Sequence, residues 1–254
     1  MLETAVIPTA GRGTRMMPAT AVLPKVMLPL VNVPAIQLVV TEALEAGMKR
    51  LVIVLGENGD LTRRHFEIVD GPWQGRLEWV EQREPRGLGH AIACARERVG
   101  DRDFAVLLGD AVFLDGNPTR ALAEDFHKHG ETVLGLQRVP SELLAQRGIV
   151  RVGETKADRF SIQGVDEKPG AAAAGSDLAL MGRAVFRATM LDALARAEVP
   201  ETGELHWTVG INALARSETV AGLLITDHRF DIGNPASYLA AIEARGNQIP
   251  SASS

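Results

Sequence analysis

Short apolar runs alternate with helical patterns through the first half of the chain, and this alternation limits the possible folds more than any other feature. "TAVIP", "RLVIVL" and "FAVLLGD" are runs of β-branched residues and leucine bounded by turn residues, which is the pattern of strands. Between the first two lies Pro34 to Ala46, "PAIQLVVTEALEA". It has proline at a helix start, apolar residues spaced by three and four, and Gly47 as its stop. "GHAIACARERV" and "PTRALAEDFHKH" give a second and a third helix. Strand, helix, strand, helix means a mostly parallel α/β sheet with helices on its faces.

The second half reads differently. "ETVLGLQRV", "GIVRVG", "RFSIQGVDEKP" and "DLALMGRAVF" are strand-like with less helix between them. They are expected to complete the sheet and to leave a small subregion folded over its mouth. Helices return at "RATMLDALARA", "GELHWTVGINALAR" and "NPASYLAAIEAR", "GAAAAGSD" is a small-residue loop, and "GNQIPSASS" reads as a polar, frayed end. With no internal repeat or long linker, residues 1–254 are expected to form one domain. A chain of 254 residues with 46% apolar and 23% charged residues can bury one sizeable core.

The net charge of −5 gives no electrostatic reason to expect a nucleic acid or an anionic membrane as partner. The single cysteine, Cys94, excludes an internal disulfide and fits a reducing compartment. Within its helical pattern it is expected to be a small buried residue. "MLETAVIPTAG" has no basic segment leading into an apolar stretch, and no run approaches the roughly 18 apolar residues of a membrane span. The expected location is the cytoplasm.

Chemistry is concentrated in residues 5–30, "AVIPTAGRGTRMMPATAVLPKVMLPL". A strand that breaks into "TAGRGTR" puts the amides of Gly11 and Gly13 near the C-terminal edge of the sheet, where open α/β sheets bind ligands. Glycines let the backbone approach a phosphate, and successive N–H groups can cradle an oxyanion. Arg15 and Lys25 follow in a proline-pinned loop, and both residue types suit phosphate. A dinucleotide fingerprint would want a third glycine where Met16 stands, and Pro18 breaks any helix there, so a dehydrogenase is disfavoured.

The pattern GxGTRxxPxTxxxPKxxxP in this stretch resembles the signature of nucleotidyltransferases that make nucleotide sugars. The resemblance is strongest to the bacterial UTP–glucose-1-phosphate uridylyltransferases. It continues, in the family's order, through "GLGHAIACA", "LLGDAVFLD", "DEKP" and "FDIGN". It implies a Rossmann-like, three-layer α/β nucleotidyltransferase fold with a mixed, mostly parallel sheet. The nucleotide-binding part would cover about residues 1–115, the sugar-phosphate-binding part about 116–246, and a tail 247–254. It also implies that UTP and glucose 1-phosphate are condensed to a nucleotide sugar and pyrophosphate, with Mg²⁺ as cofactor.

The resemblance assigns roles residue by residue. Ala10, Gly11, Gly13 and Thr14 would hold the nucleotide, with Arg15 and Lys25 acting on the triphosphate. Asp110 and Asp231, each just after a strand, would hold the metal; their bland readings are a turn cap and an N-cap, and hard carboxylate oxygens suit Mg²⁺. Gly148 and Glu167 would meet the sugar and Lys168 the sugar phosphate, against a bland reading of Glu167 and Lys168 as an exposed charged turn. Gln82 and Gly87 fall where the family reads uracil, since a carboxamide both donates and accepts. "EPRG" also resembles a stretch of guanylyl-transferring relatives, so Glu84 facing a guanine stays open. Trp73, Trp79 and Trp207 read as packing residues, and the six histidines show no metal pattern.

The chain departs from the family at Ala21 (lysine), Val26 (glutamate), Arg147 (tyrosine), Trp207 (leucine) and Val209 (aspartate). The loop after "RRHFE" and the C-terminal helical region are shorter, so a homo-oligomer is possible but not carried over from the family. Changes on the sugar side leave two alternatives open. One is a specialised relative of a secondary pathway that uses another sugar or cyclitol phosphate, GTP or dTTP in place of UTP, or both. The other is a non-catalytic sensor that keeps the fold, which the retained aspartates and lysines disfavour.

Overall fold

The computed structural model describes residues 2–170, 172–198 and 203–249. The first half runs β1 (Thr4–Pro8), the short hairpin β2 (Pro29–Leu30) and β3 (Val33–Pro34), α1 (Ala35–Glu45) and β4 (Arg50–Leu55). It continues with α2 (Asp60–Ile68), β5 (Leu77–Glu81), α3 (Leu88–Cys94), α4 (Arg96–Val99), β6 (Phe104–Leu107), β7 (Ala111–Phe113) and α5 (Pro118–His129). The second half runs β8 (Thr132–Arg138), β9 (Gly148–Lys156), β10 (Arg159–Glu167), β11 (Leu178–Phe186), α6 (Thr189–Ala195) and α7 (Trp207–Ser217). β12 (Val220–Leu224), β13 (Arg229–Asp231) and α8 (Pro235–Gln248) complete it.

Nine strands make one sheet in the order β5-β4-β1-β6-β11-β8-β12-β10-β9. β5, β4, β1 and β6 are mutually parallel, as are β8 and β12, while β10 and β11 run against their neighbours. The sheet is therefore mixed, and most of its strands point one way. Its three layers follow from the period of two in a strand. Ala5, Ile7, Leu51, Ile53 and Leu55 face a core shared with residues of α1, α2, α5 and α8. Val6, Val52, Val54 and Val106 face the opposite core, with residues of α3, α6 and α7.

Where structure and sequence reading differ, the cause is local. The helix expected over residues 89–99 breaks at Ala95 into α3 and α4. α2, β5 and β12 were not expected. β5, "LEWVE", is a half-buried edge strand, so its charged residues mask the apolar alternation. The second-half strands β8 to β12 all join the main sheet, with the β9–β10 hairpin as its far edge, while β13 pairs with β7 in a separate two-stranded sheet. α8 runs through Gln248, two residues into the expected tail; residues 250–254 lie outside the described residues. Cys94 is half-buried rather than buried, and burial pushes its thiol up, away from nucleophilic use. The tryptophans pack: Trp73 edge-on against Phe66, Trp207 against Phe186, and Trp79 under Arg63.

Candidate active site

Beyond β1 the chain does not enter an α-helix. Residues 14–16, 19–21 and 25–27 form three short 3₁₀ turns, and Met16 is buried under the first. A dinucleotide-binding loop would pass straight into a helix whose N-terminus faces a pyrophosphate, and that helix is missing here. Instead the loop folds back on itself. Gly13 sits in the left-handed region at φ +64°, where a Cβ would lie 3.1 Å from Thr20 Cγ2 and 3.2 Å from Lys25 Cβ. Thr20 Oγ1 donates to the Gly13 carbonyl at 2.8 Å. The sequence thus places Lys25 against the glycine loop.

A cleft of about 540 Å³ lies between this loop and residues 82–91. Ala10, Gly11, Gly13, Thr14, Lys25, Gln82, Gly87 and Asp110 line it together, with Arg12 and Glu204, which the sequence reading did not select. Gln82 is buried. Glu84, the alternative base reader, is exposed and pairs with Arg86 at 3.3 Å.

Asp110 follows β6 on a turn held from below. Arg183, fully buried, donates to the carbonyls of Leu108 at 3.3 Å and Ala111 at 2.8 Å. Its guanidinium also forms a fork on Glu42, at 2.9 and 2.7 Å, and Thr119 donates to the same carboxylate at 2.6 Å. The Asp110 carboxylate is ion-paired with the Lys25 ammonium. Burial pushes the Asp110 carboxyl up, but the Lys25 charge and hydrogen bond, with Arg229 nearby, outweigh it and hold the group well below the usual carboxylate range.

β13 pairs with β7 so that Asp231 lies opposite Ala111, and Ile232 N–H donates to the Asp110 carbonyl at 3.0 Å. The two aspartates, far apart in sequence, therefore meet. Asp231 Oδ1 accepts from Gly233 N–H at 3.0 Å, while Oδ2 faces Arg147 at 3.4 Å, Arg15 at 3.8 Å and Arg229 at 3.9 Å. A Cβ on Gly233 would lie 2.9 Å from Lys25 Nζ and 3.1 Å from Asp231 Oδ1, so the lysine stands between the two carboxylates. Arg229 is nearly buried, and burial, with Arg147 adjacent, pulls its pKa down to about 10 against the opposing pull of Asp231 and Asp110.

The remaining expected residues form a second group. Register pairs Gly148 with Glu167 across β9 and β10. Lys168 N–H donates to the Arg147 carbonyl at 3.0 Å, and Lys168 itself holds a left-handed φ of +50°, a strained conformation for a side-chain-bearing residue. Glu167 accepts from Thr208 Oγ1 at 3.3 Å and faces Lys168 Nζ at 3.6 Å and His206 at 3.8 Å. Arg147 joins this group to Asp231. Arg147, Arg229, His206 and Thr208 are site residues that the sequence reading did not assign. Only Arg147 carried a signal, its departure from a common tyrosine.

Among the described residues no group of three or more His, Cys, Asp or Glu could hold a metal alone. Two adjacent carboxylates that leave most of a coordination shell to other donors suit a hard divalent cation completing its shell with substrate phosphates. The donor chemistry fits such an ion.

The nucleotidyl transferase family pattern matches residues 4–248. The chain is 33% identical over 256 residues to UTP–glucose-1-phosphate uridylyltransferase of Bacillus subtilis (strain 168), covering 92% of this chain and 88% of that protein. It is 34% identical to the protein of the same name from Mycoplasma pneumoniae, covering 94% and 91%. Among solved structures, UDP-glucose pyrophosphorylase complexed with UDP-glucose superposes with a TM-score of 0.90 at 26% identity, over 98% of this chain and 100% of that one. UTP-bound UGPase from Acinetobacter baumannii gives 0.84 at 30% identity, over 98% and 95%. A family pattern across nearly the whole sequence, relatives above 30% identity over most of it and a shared fold agree: this chain belongs to the nucleotidyl transferase family.

Proposed function

We propose that the chain condenses UTP with glucose 1-phosphate, giving UDP-glucose and pyrophosphate. The observation that carries this reading is the convergence of Lys25, Asp110 and Asp231 at the edge of a cleft whose walls are the glycine loop and the Gln82–Gly87 segment. Family membership supports the reaction class, and the relatives' names support the substrate pair.

In this reading the backbone of Ala10, Gly11, Gly13 and Thr14 follows the triphosphate, and Gln82 with Gly87 reads the base. Gly148 and Glu167 meet the sugar, and Lys168 meets its phosphate. The acceptor oxygen attacks the α-phosphorus in line, the bond to the bridging oxygen of pyrophosphate breaks, and no covalent enzyme intermediate forms. Catalysis is positioning plus charge neutralisation, the usual protein contribution to phosphoryl transfer. Asp110 and Asp231 would hold Mg²⁺, which when bound neutralises charge on the triphosphate. Their oxygens now face Lys25, Arg15 and Arg147. An arriving triphosphate offers Lys25 and Arg15 a stronger anionic partner, and the sugar phosphate does the same for Arg147, which releases the carboxylates. No helix among the described residues is long and apolar enough to cross a membrane, which accords with a cytoplasmic enzyme using a cytoplasmic nucleotide pool.

The test is pyrophosphate release with Mg²⁺, crossing UTP, dTTP, GTP, CTP and ATP against a panel of sugar 1-phosphates. A clear optimum at UTP and glucose 1-phosphate is expected. Turnover only with another pair would favour the second reading, a specialised relative acting on another sugar or cyclitol phosphate. That reading has one observation behind it: Arg147 adds a cation 3.4 Å from Asp231 where the family commonly has tyrosine. Nucleotide binding without turnover for any pair would overturn both.

A further inference from the structure

The Gln82 amide has its donors assigned before any nucleotide arrives. Its nitrogen lies 3.0 Å from the Gly87 carbonyl oxygen and 2.8 Å from His90 Nδ1. A carbonyl oxygen only accepts, so the group facing Gly87 is the NH₂. The second hydrogen then points at His90 Nδ1, which must be the unprotonated nitrogen of a neutral ring. Both N–H groups are consumed, and Gln82 Oε1 has no partner among the described residues.

The Gly87 carbonyl is itself fixed. Gly87 holds φ +94°, and a Cβ there would lie 2.6 Å from the Leu205 carbonyl oxygen. Leu205 N–H donates to Arg86 O at 2.8 Å, and Gly89 N–H donates to Leu205 O at 2.7 Å, so residues 86–89 are pinned to the segment that leads into α7. The amides of Gly87 and Leu88, at the start of α3, have no backbone partner among the described residues, as the first N–H groups of a helix do not. The base wall of the cleft thus offers one bare acceptor, Gln82 Oε1, beside bare backbone donors.

We propose that His90 is a positioning residue that locks the Gln82 amide with its oxygen presented, so that the base site selects an imide-type edge, an N–H beside a carbonyl, over the acceptor nitrogen that cytosine presents at the same place. The inference rests on the uridylyl-transfer reading of this cleft. Burial favours the neutral ring, and the Arg86 charge favours it further, while Glu84 opposes; Cys94 Sγ, 3.9 Å from Nδ1, is the other titratable group beside it. Without an acceptor at position 90 the amide is held only by the Gly87 carbonyl, which already accepts from Ala91 N–H at 3.1 Å, so the orientation that offers NH₂ to the base becomes more populated. A cytosine ring nitrogen would then be as well matched as a uracil N–H.

The experiment compares wild type with His90→Phe, His90→Met and His90→Gln, measuring kcat and KM for UTP and for CTP with glucose 1-phosphate. Phe and Met lack an acceptor, and Gln restores one. The ratio of kcat/KM for UTP over CTP should fall about tenfold in the Phe and Met variants, the size expected for one discriminating hydrogen bond, with the loss falling on KM for UTP. His90→Gln should recover most of the ratio. An unchanged ratio in whichever of His90→Phe and His90→Met folds would overturn the proposal. So would equal loss in His90→Gln, because ring volume rather than the acceptor would then be responsible. A wild type that does not prefer UTP to CTP would instead overturn the uridylyl reading, which keeps the two failures apart.

Discussion

The two walls of the proposed active site are built by different means. On the nucleotide side the groups are set by backbone and burial: Gly13 and Gly87 hold left-handed conformations, Gln82 is 5% exposed, and the Lys25 side chain is 13% exposed against Asp110. On the acceptor side the groups are longer side chains that meet solvent: Lys168 is more than half exposed, and Glu167 and Arg147 are partly exposed. A wall of pinned backbone pre-organises a site for one ligand geometry, because little entropy remains to be lost on binding. A wall of exposed side chains can be retuned by single substitutions. Three of this chain's departures from the family, Arg147, Trp207 and Val209, lie on or next to the acceptor wall.

The largest expected effect should break both walls at once. Glu42→Ala would leave Arg183 buried without its carboxylate under the turn that carries Asp110. Removing one partner of a buried pair costs about 3–5 kcal/mol. Urea unfolding should show that loss, and any remaining folded protein should be inactive with every substrate. A variant as stable as wild type would show that the fork on Arg183 is not what holds the turn. Next comes Lys25→Ala, expected to lower turnover by about 10²- to 10³-fold with the circular dichroism spectrum unchanged, the scale of losing one pre-organised charge donor. Near-normal turnover would move the catalytic charge elsewhere.

This contrast also explains what the sequence disclosed. The glycine loop, Asp110 and the "FDIGN" turn could be singled out because they fall in short motifs that resemble the family's, in the family's order. The apolar runs that became β1, β4 and β6 were legible because strands buried on both faces are apolar throughout. β5 was hidden because an edge strand mixes charged with apolar residues, and α2 because its first turns are mostly polar. Arg147, Arg229 and His90 acquire roles only through contacts made by folding: two arginines converge on Asp231, and a helical histidine meets an amide from the end of β5. No local spacing encodes such meetings.

A smaller effect should separate the walls. Arg147→Tyr restores the residue common in the family and removes one of the guanidinium groups facing Asp231. A few-fold change in KM for the sugar phosphate is expected, about the worth of one partly exposed ion pair, with KM for UTP unchanged. Steady-state kinetics with each substrate varied in turn will show it. A shift confined to UTP would mean that Arg147 serves the triphosphate and that the division between walls is drawn in the wrong place.

The smallest effect concerns acid. Burial lowers the pKa of His90, so the unfolded chain takes up that proton first as the pH falls. Its contribution to stability is whole above the ordinary histidine value of about 6.5 and declines below it. Asp110, held ionised well below the usual carboxylate range, adds no slope in that window. His65, also lowered by burial, contributes a second slope of the same sign. Wild type should therefore lose melting temperature between about pH 7.5 and about pH 5.5, and His90→Gln should lose less, because only His65 then remains of the pair. Equal slopes would mean that folded His90 accepts a proton as readily as the unfolded chain does. A ring so easily charged could not serve as a standing acceptor for Gln82, and the nucleotide wall would then be no more pre-organised than the acceptor wall.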